Sequence, residues 1–205
     1  MDLVSGSARA RVQLYWLPLG AGGRSVRVNG KVFEALAAWR EHRPARDLYH
    51  AALEVRVHDE RYVIEVAPAW GNGTGERGVA LTGPVGCAWL GQSVLFRYEV
   101  RCWRDGAIPD VAYAVGGAHV LSEDVRRASE LLSLVPRAPR LTWGRDELGT
   151  GDMWNSNSVV SWLLVSSGHM VDTLRPPRNG RAPGWSSGLI HAARWPATGT
   201  ITPRA

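Results

Sequence analysis

The sequence predicts an α+β fold in which helices pack on an antiparallel sheet. Two apolar, β-branched runs at 48–57 and 61–67 are separated only by the short His58-Asp59 stretch, as in a tight hairpin. Residues 94–103 alternate strictly, with Val94, Phe96, Tyr98, Val100 and Cys102 on one face and Leu95, Arg97, Glu99, Arg101 and Trp103 on the other, the period of a half-buried strand. Helical signals lie apart from these strands rather than alternating with them, which argues against a doubly wound parallel sheet.

In chain order, residues 12–19 form a first strand, ended by Gly20-Ala21-Gly22-Gly23. Asn29-Gly30 introduces a helix over 31–42, where Val32, Phe33, Leu36 and Trp39 recur at helical spacing. The hairpin and the alternating strand follow. Ser122-Glu123-Asp124 opens a helix running to about Leu134, with the Ser122 hydroxyl available as cap and Pro136 just beyond the end. Residues 136–153 read as loop. The run Asn155-Ser156-Asn157-Ser158 then turns into the apolar pattern of a helix that extends to Ser167 and stops at Gly168. Residues 175–205 are dense in Pro, Gly and Arg and read as a tail packed on a single domain spanning 1–205, with Pro183-Gly184-Trp185 as its anchor.

Composition sets the background. With 45% apolar residues and 10 tryptophans in 205 residues, the chain builds a buried interior rather than a disordered coil. The net charge of +5 comes from 23 arginines and one lysine, mixed with acids along the whole length. This pattern matches the codon usage of a GC-rich bacterial genome, and no clustered basic face for nucleic acid is expected. Two cysteines, Cys87 and Cys102, are too few for a disulfide framework and match no metal spacing, so a reducing compartment is expected. Cys102 lies on the apolar face of its strand, where an inert thiol is expected. No stretch of about twenty apolar residues suggests a membrane span. The short apolar run before Pro18 has no small-residue cleavage site, and a cytoplasmic location follows as the expectation.

Three side chains carry the expected chemistry. If His58-Asp59 is a two-residue loop, Ala52 lies opposite Glu65 and His50 opposite Ala67, so His50 and Glu65 become diagonal neighbours on one sheet face. A carboxylate beside an imidazole orients it and stabilises its protonated form. Ser156 stands at a helix start, where backbone N–H groups and the helix dipole favour negative charge, and could pass its proton to His50 and attack a carbonyl. The plainer reading of such a hydroxyl is a helix cap. Asn155, Asn157 and Trp154 are the neighbouring candidates for substrate or oxyanion contacts. Gly73-Thr74-Gly75-Glu76-Arg77-Gly78 has the spacing of a dinucleotide loop but opens no helix, so it reads as a flexible loop. His119, His169 and His191 lack partners at ligand spacing, and neither a metal nor another cofactor is expected.

The strand bearing His50, the short turn, the second strand ending in Ala67-Pro68 and the later helix headed by Asn155-Ser156 together resemble the circularly permuted papain-like proteins. The resemblance is to the lecithin:retinol acyltransferase and phospholipase/acyltransferase group, related to NlpC/P60 peptidases. It covers residues 48–68 and 152–166 and implies His50 as base, Glu65 as its orienting partner and Ser156 as nucleophile. Ser156 stands where the family has Cys, Glu65 where it often has His, and Asn157-Ser158 where it often has Glu-His. A hydroxyl is less acidic than a thiol and demands a better-oriented base, which a His–Glu pair supplies. The expected activity is hydrolysis or transfer of an amide or ester acyl group from a small molecule or peptide. The alternatives are a catalytically inactive binding module of the same fold and an arginine-rich binder of anionic partners.

Overall fold

The computed structural model describes residues 10–20, 34–35, 38–69, 78–108 and 110–194. Six strands, β1 (Ala10–Pro18), β2 (Tyr49–Val57), β3 (Glu60–Pro68), β4 (Val79–Pro84), β5 (Arg97–Arg104) and β6 (Ala118–Ser122), form one sheet in the order β4-β5-β3-β2-β1-β6. Every ladder in it is antiparallel. Three α-helices have both ends described: α1 (Val125–Leu134), α2 (Ser156–Ser166) and α3 (Trp185–Arg194). This is the α+β architecture expected from the sequence.

Strand alternation divides the sheet into two unequal faces. Leu14, Trp16, Ala51, Leu53, Ile64, Val66, Tyr98 and Val100 point to the main core, where Leu131 and Leu134 of α1 and Val159, Val160, Leu163 and Leu164 of α2 meet them. The opposite face buries only a small cluster, Leu17, Ala52, Val63 and Ile108, flanked by Tyr15, Trp103 and Ala114. α2 is buried along residues 156–164 because the sheet, α1 and α3 enclose it.

The β2–β3 hairpin closes through His58-Asp59 as expected, with Val57 opposite Glu60 and His58 at φ +54°. The alternating strand begins later than the sequence pattern suggests. Val94–Phe96 is a short 3-10 turn with all three side chains exposed, and β5 starts at Arg97. The reason lies in its partners: β3 ends at Pro68 and β4 at Pro84, opposite Tyr98 and Arg97, so no strand continues alongside 94–96. The Arg97 guanidinium instead binds the carbonyls of Gly91 and Gln92.

At α1 the cap is Asp124 rather than Ser122. Its carboxylate accepts from the N–H groups of Arg126 (2.7 Å) and Arg127 (3.1 Å), while the Ser122 hydroxyl accepts from the N–H of Asp124. Strands β4 and β6 and helix α3 are not foreseen from the sequence, and α3 replaces part of the expected tail. Gly184, at φ +87°, turns the chain into α3, and Trp185, Gly188, Leu189 and Ala192 form the stripe that packs inward. Of the expected helix over 31–42, residues 34–35 and 38–40 are helical, and the rest lies outside the described residues, as do 73–77 of the glycine-rich loop and 195–205 of the tail.

Candidate functional site

The polar run at the start of α2 is a docking device, and its geometry follows residue by residue. Asn155 is the N-cap: its Oδ1 accepts from the N–H groups of Asn157 (2.9 Å) and Ser158 (3.4 Å), and the Ser158 hydroxyl accepts in return from the N–H of Asn155, completing a capping box. The other atoms of these side chains reach α3 and its approach. Asn155 Nδ2 and Asn157 Nδ2 both donate to the carbonyl of Pro183, Ser158 Oγ bonds the carbonyl of Gly184 (2.7 Å), and Ser161 Oγ that of Trp185 (2.8 Å). These contacts explain why Pro183-Gly184-Trp185 anchors the C-terminal segment.

Asn157 also grips the strand that carries His50. The β2–β3 ladder ends at Leu53–Ile64, so the β3-facing edge of β2 before Leu53 has no strand partner. Tyr49 N–H donates to the carbonyl of Arg181, Asn157 Nδ2 donates to the carbonyl of Tyr49 (3.0 Å), and Asn157 Oδ1 accepts from the N–H of Ala51 (2.8 Å). The side chain of Asn157 therefore stands where a strand would continue, bonded on both sides of His50. Ser156 precedes Asn157 on α2, whose apolar side chains pack on the main-core face of the sheet, whereas the His50 side chain belongs to the opposite face. The expectation that this helix packs against the face of His50 and Glu65 is therefore not met.

Ser156 is the exception in the run. Asn155, Asn157, Ser158 and Ser161 each bond the surrounding structure, whereas no hydrogen bond of the Ser156 hydroxyl is made to any described residue. The residue is 7% exposed, at the first position of an eleven-residue helix. The plain capping role belongs to Asn155, and the Asn155 carboxamide takes the N–H groups of Asn157 and Ser158. The N–H of Ser156 is left as the donor for an oxyanion, narrower provision than the several N–H groups expected from the sequence.

The other expected contacts are changed accordingly. Asn155 and Asn157 are committed to structural bonds on both ends of their amides, and Trp154 is 1% exposed within the core, so none of the three is presented to a substrate. His50 lies opposite Leu17, and Ala52 and Val63 belong to the second face, which places His50 and Glu65 on that face as the hairpin register requires. No hydrogen bond joins His50 to Ser156, and the hairpin ladder does not hold His50 and Glu65 in register. The physical reason is the end of the ladder at Leu53–Ile64: Ala52 and Glu65 would form the next pair, and the strands part before it. Glu65, 9% exposed, stands directly opposite Arg101 on β5.

Burial pushes the His50 imidazole down to about 4, with the carboxylate of Asp110 drawing it part of the way back. The ring is thus neutral near pH 7. Asp110 has no sequence signal of its own; it reaches this region because the loop after β5 folds across the second face. Cys102 packs against the main core, where burial pushes its thiol up to about 11, as its place in the alternating pattern suggested. Cys87 receives an N–H from Arg145 (3.3 Å) beside Thr142 and Glu147. A cleft of about 810 Å³ is lined by Pro18, Leu19, Asp47, Val115 and Arg178 among others, including Tyr49, the residue before His50.

Among the described residues no group of three His, Cys, Asp or Glu side chains is arranged to hold a metal ion, and no helix is long and apolar enough to cross a membrane. No family model, no curated protein and no solved structure matches this chain.

Proposed function

We propose that this protein is a cytoplasmic acyl hydrolase or acyltransferase of the permuted papain-like kind, acting on an amide or ester with Ser156 as nucleophile, His50 as general base and Glu65 as the residue that orients the imidazole. The observation that carries the reading is the division of labour at the start of α2. Every other polar side chain from 155 to 161 is tied into the fold, and Ser156 alone is left with an unengaged hydroxyl at a helix N-terminus. The bonds of Asn157 to the backbone on both sides of His50 bring the start of α2 to the edge of the strand that carries the histidine, which supports the reading. In this reading the proton of Ser156 passes to His50 as the hydroxyl attacks the carbonyl, and the Ser156 N–H faces the developing oxyanion.

A second reading is a catalytically silent binding module of the same fold, favoured by the placement of α2 and the His50 side chain on opposite faces of the sheet. A fluorophosphonate probe separates the two. The catalytic reading expects one adduct on Ser156, found by peptide mass spectrometry, that is lost in Ser156→Ala and strongly slowed in His50→Ala while both variants melt near the parent temperature. Absence of any adduct on a folded parent overturns the catalytic reading in favour of the binding module.

A further inference from the structure

Two short 3-10 turns, Ala88–Gln92 and Val94–Phe96, link β4 to β5 at one edge of the sheet. No residue from 86 to 96 is charged, and Trp89, Val94, Leu95 and Phe96 are all exposed, Trp89 at 72% and Leu95 at 67%. Exposed apolar residues are ordinary when scattered singly, but these are four of the ten large ones among the described residues, gathered within eight positions. The polar groups of the turns, by contrast, are bonded within the protein. The Arg97 guanidinium binds the carbonyls of Gly91 and Gln92, and Arg145 binds that of Gly86 (2.6 Å). The N–H groups of Cys87, Leu90, Ser93 and Phe96 donate to the carbonyls of Val85, Cys87, Leu90 and Ser93, that of Arg97 to Val94, and that of Val85 to Phe96. Gly91 lies so close to Pro84 that a Cβ on it would collide, which seats the first turn on the end of β4.

We propose that residues 86–96 are a docking surface for a phospholipid bilayer, with Trp89, Val94, Leu95 and Phe96 entering the boundary between headgroups and acyl chains. Backbone that enters an apolar medium must find its hydrogen-bond partners inside the protein, and these turns do so. Tryptophan beside Val, Leu and Phe is the composition that settles at a membrane interface. Arg97 and Arg145 place two cations at the base of the turns, which suits lipid phosphate. The carboxylates of Asp146 and Glu147, which share a cleft with Arg145, are taken up by Thr150 and Gly151 and by Thr142. A protein partner fits less well. A stable protein interface takes about 20–30 residues a side, more than this stretch offers. Nor can a second copy extend the sheet here, because Pro84 and the bulge between Val79 and Leu81 blunt the β4 edge. The inference is independent of the chemistry at Ser156.

Sedimentation of the full chain with vesicles of phosphatidylcholine containing about one quarter phosphatidylglycerol tests the proposal without any activity readout. The parent is expected to pellet with the vesicles. Trp89→Ser combined with Leu95→Ser is expected to lower its partition at least about tenfold while melting near the parent temperature. Val94→Ser with Phe96→Ser supplies a second pair, should the first fold poorly. Met170→Ser, at an apolar residue just as exposed but beyond α2, is expected to bind as the parent does. A folded parent that stays in the supernatant, or a folded double variant that partitions like the parent, overturns the proposal. So does a lipid-free dimer of the parent, seen by analytical ultracentrifugation and lost in the double variant, which would assign the surface to a second copy of the chain.

Discussion

Asn157 Oδ1 accepts a hydrogen bond from the N–H of Ala51 at 2.8 Å, across 106 residues of sequence, and so a helix side chain completes the edge of a strand. The same amide donates to the carbonyls of Tyr49 and Pro183, so one residue ties α2 to β2 and to the entrance of α3. Asn157→Ala should leave the Ala51 N–H and the Tyr49 carbonyl without this partner in a buried setting, while Asn155 still donates to Pro183, at a cost of about 2 to 5 kcal/mol. The melting temperature should fall sharply, and amide exchange at Ala51 should accelerate. Retained protection at Ala51 in the variant would contradict the assignment of this bond.

Gly188 sits where α3 crosses α2. A Cβ placed on it would collide with the Ser158 carbonyl and the Ser161 hydroxyl. Gly→Ala inside a helix ordinarily stabilises by up to about 1 kcal/mol. Here the sign should reverse, because the helices must separate and the Ser161 bond to Trp185 must stretch, for a net loss of about 1 to 3 kcal/mol. Chemical denaturation of Gly188→Ala checks the sign directly.

Stability should decline on mild acidification. Burial holds His50 and His169 below the ordinary histidine value of 6.5 in the folded chain, the nearby Arg127 cation adding to the effect at His169. A depressed histidine favours the fold fully above the unfolded value and loses that contribution as pH falls below it, because the unfolded chain takes up protons first. For His50 the loss runs from pH 6.5 down to about 4. The melting temperature should therefore drop between pH 7 and pH 5, and less steeply in a His50→Gln, His169→Gln double variant. A double variant with the parent's slope would remove both histidines from the effect.

Ser156→Cys should create a thiol distinct from the two natural ones. A thiol at a helix N-terminus beside an imidazole ionises more readily than the unperturbed group near 8.5, whereas burial pushes Cys102 up to about 11. Alkylation of position 156 by iodoacetamide near pH 7 should outpace Cys102 at least tenfold and slow when His50→Ala is added. A rate indifferent to His50 would point to the binding-module reading.

Much of this architecture is legible in the sequence because it depends on local periodicity and turn chemistry. The hairpin through His58-Asp59, the inward parity of Tyr98, Val100 and Cys102, and the α2 boundaries from Ser156 to the stop at Gly168 all arise from neighbours a few residues apart. Pairing at long range is not encoded that way. Residues 94–96 carry the alternating pattern, yet they leave the sheet because Pro68 and Pro84 end the partner strands. The stripe of α3 is visible in hindsight at Trp185, Leu189 and Ala192, but the surrounding Pro, Gly and Arg residues mask it.

The site divides along the same line. Sequence alone determined that a hydroxyl-rich helix start, a strand histidine and a strand glutamate exist, and that the last two share a sheet face, since alternation and a two-residue turn leave no other parity. Only the tertiary structure decided how far they are brought together. The ladder ends at Leu53–Ile64, Asn157 enters the opening, the neighbouring amides are consumed in docking, and a loop from beyond β5 crosses the second face, where Ile108 packs with Leu17 and Ala52. Each of these depends on which backbone groups remain unpaired after the sheet has formed, a property of the assembled fold rather than of any local stretch of residues.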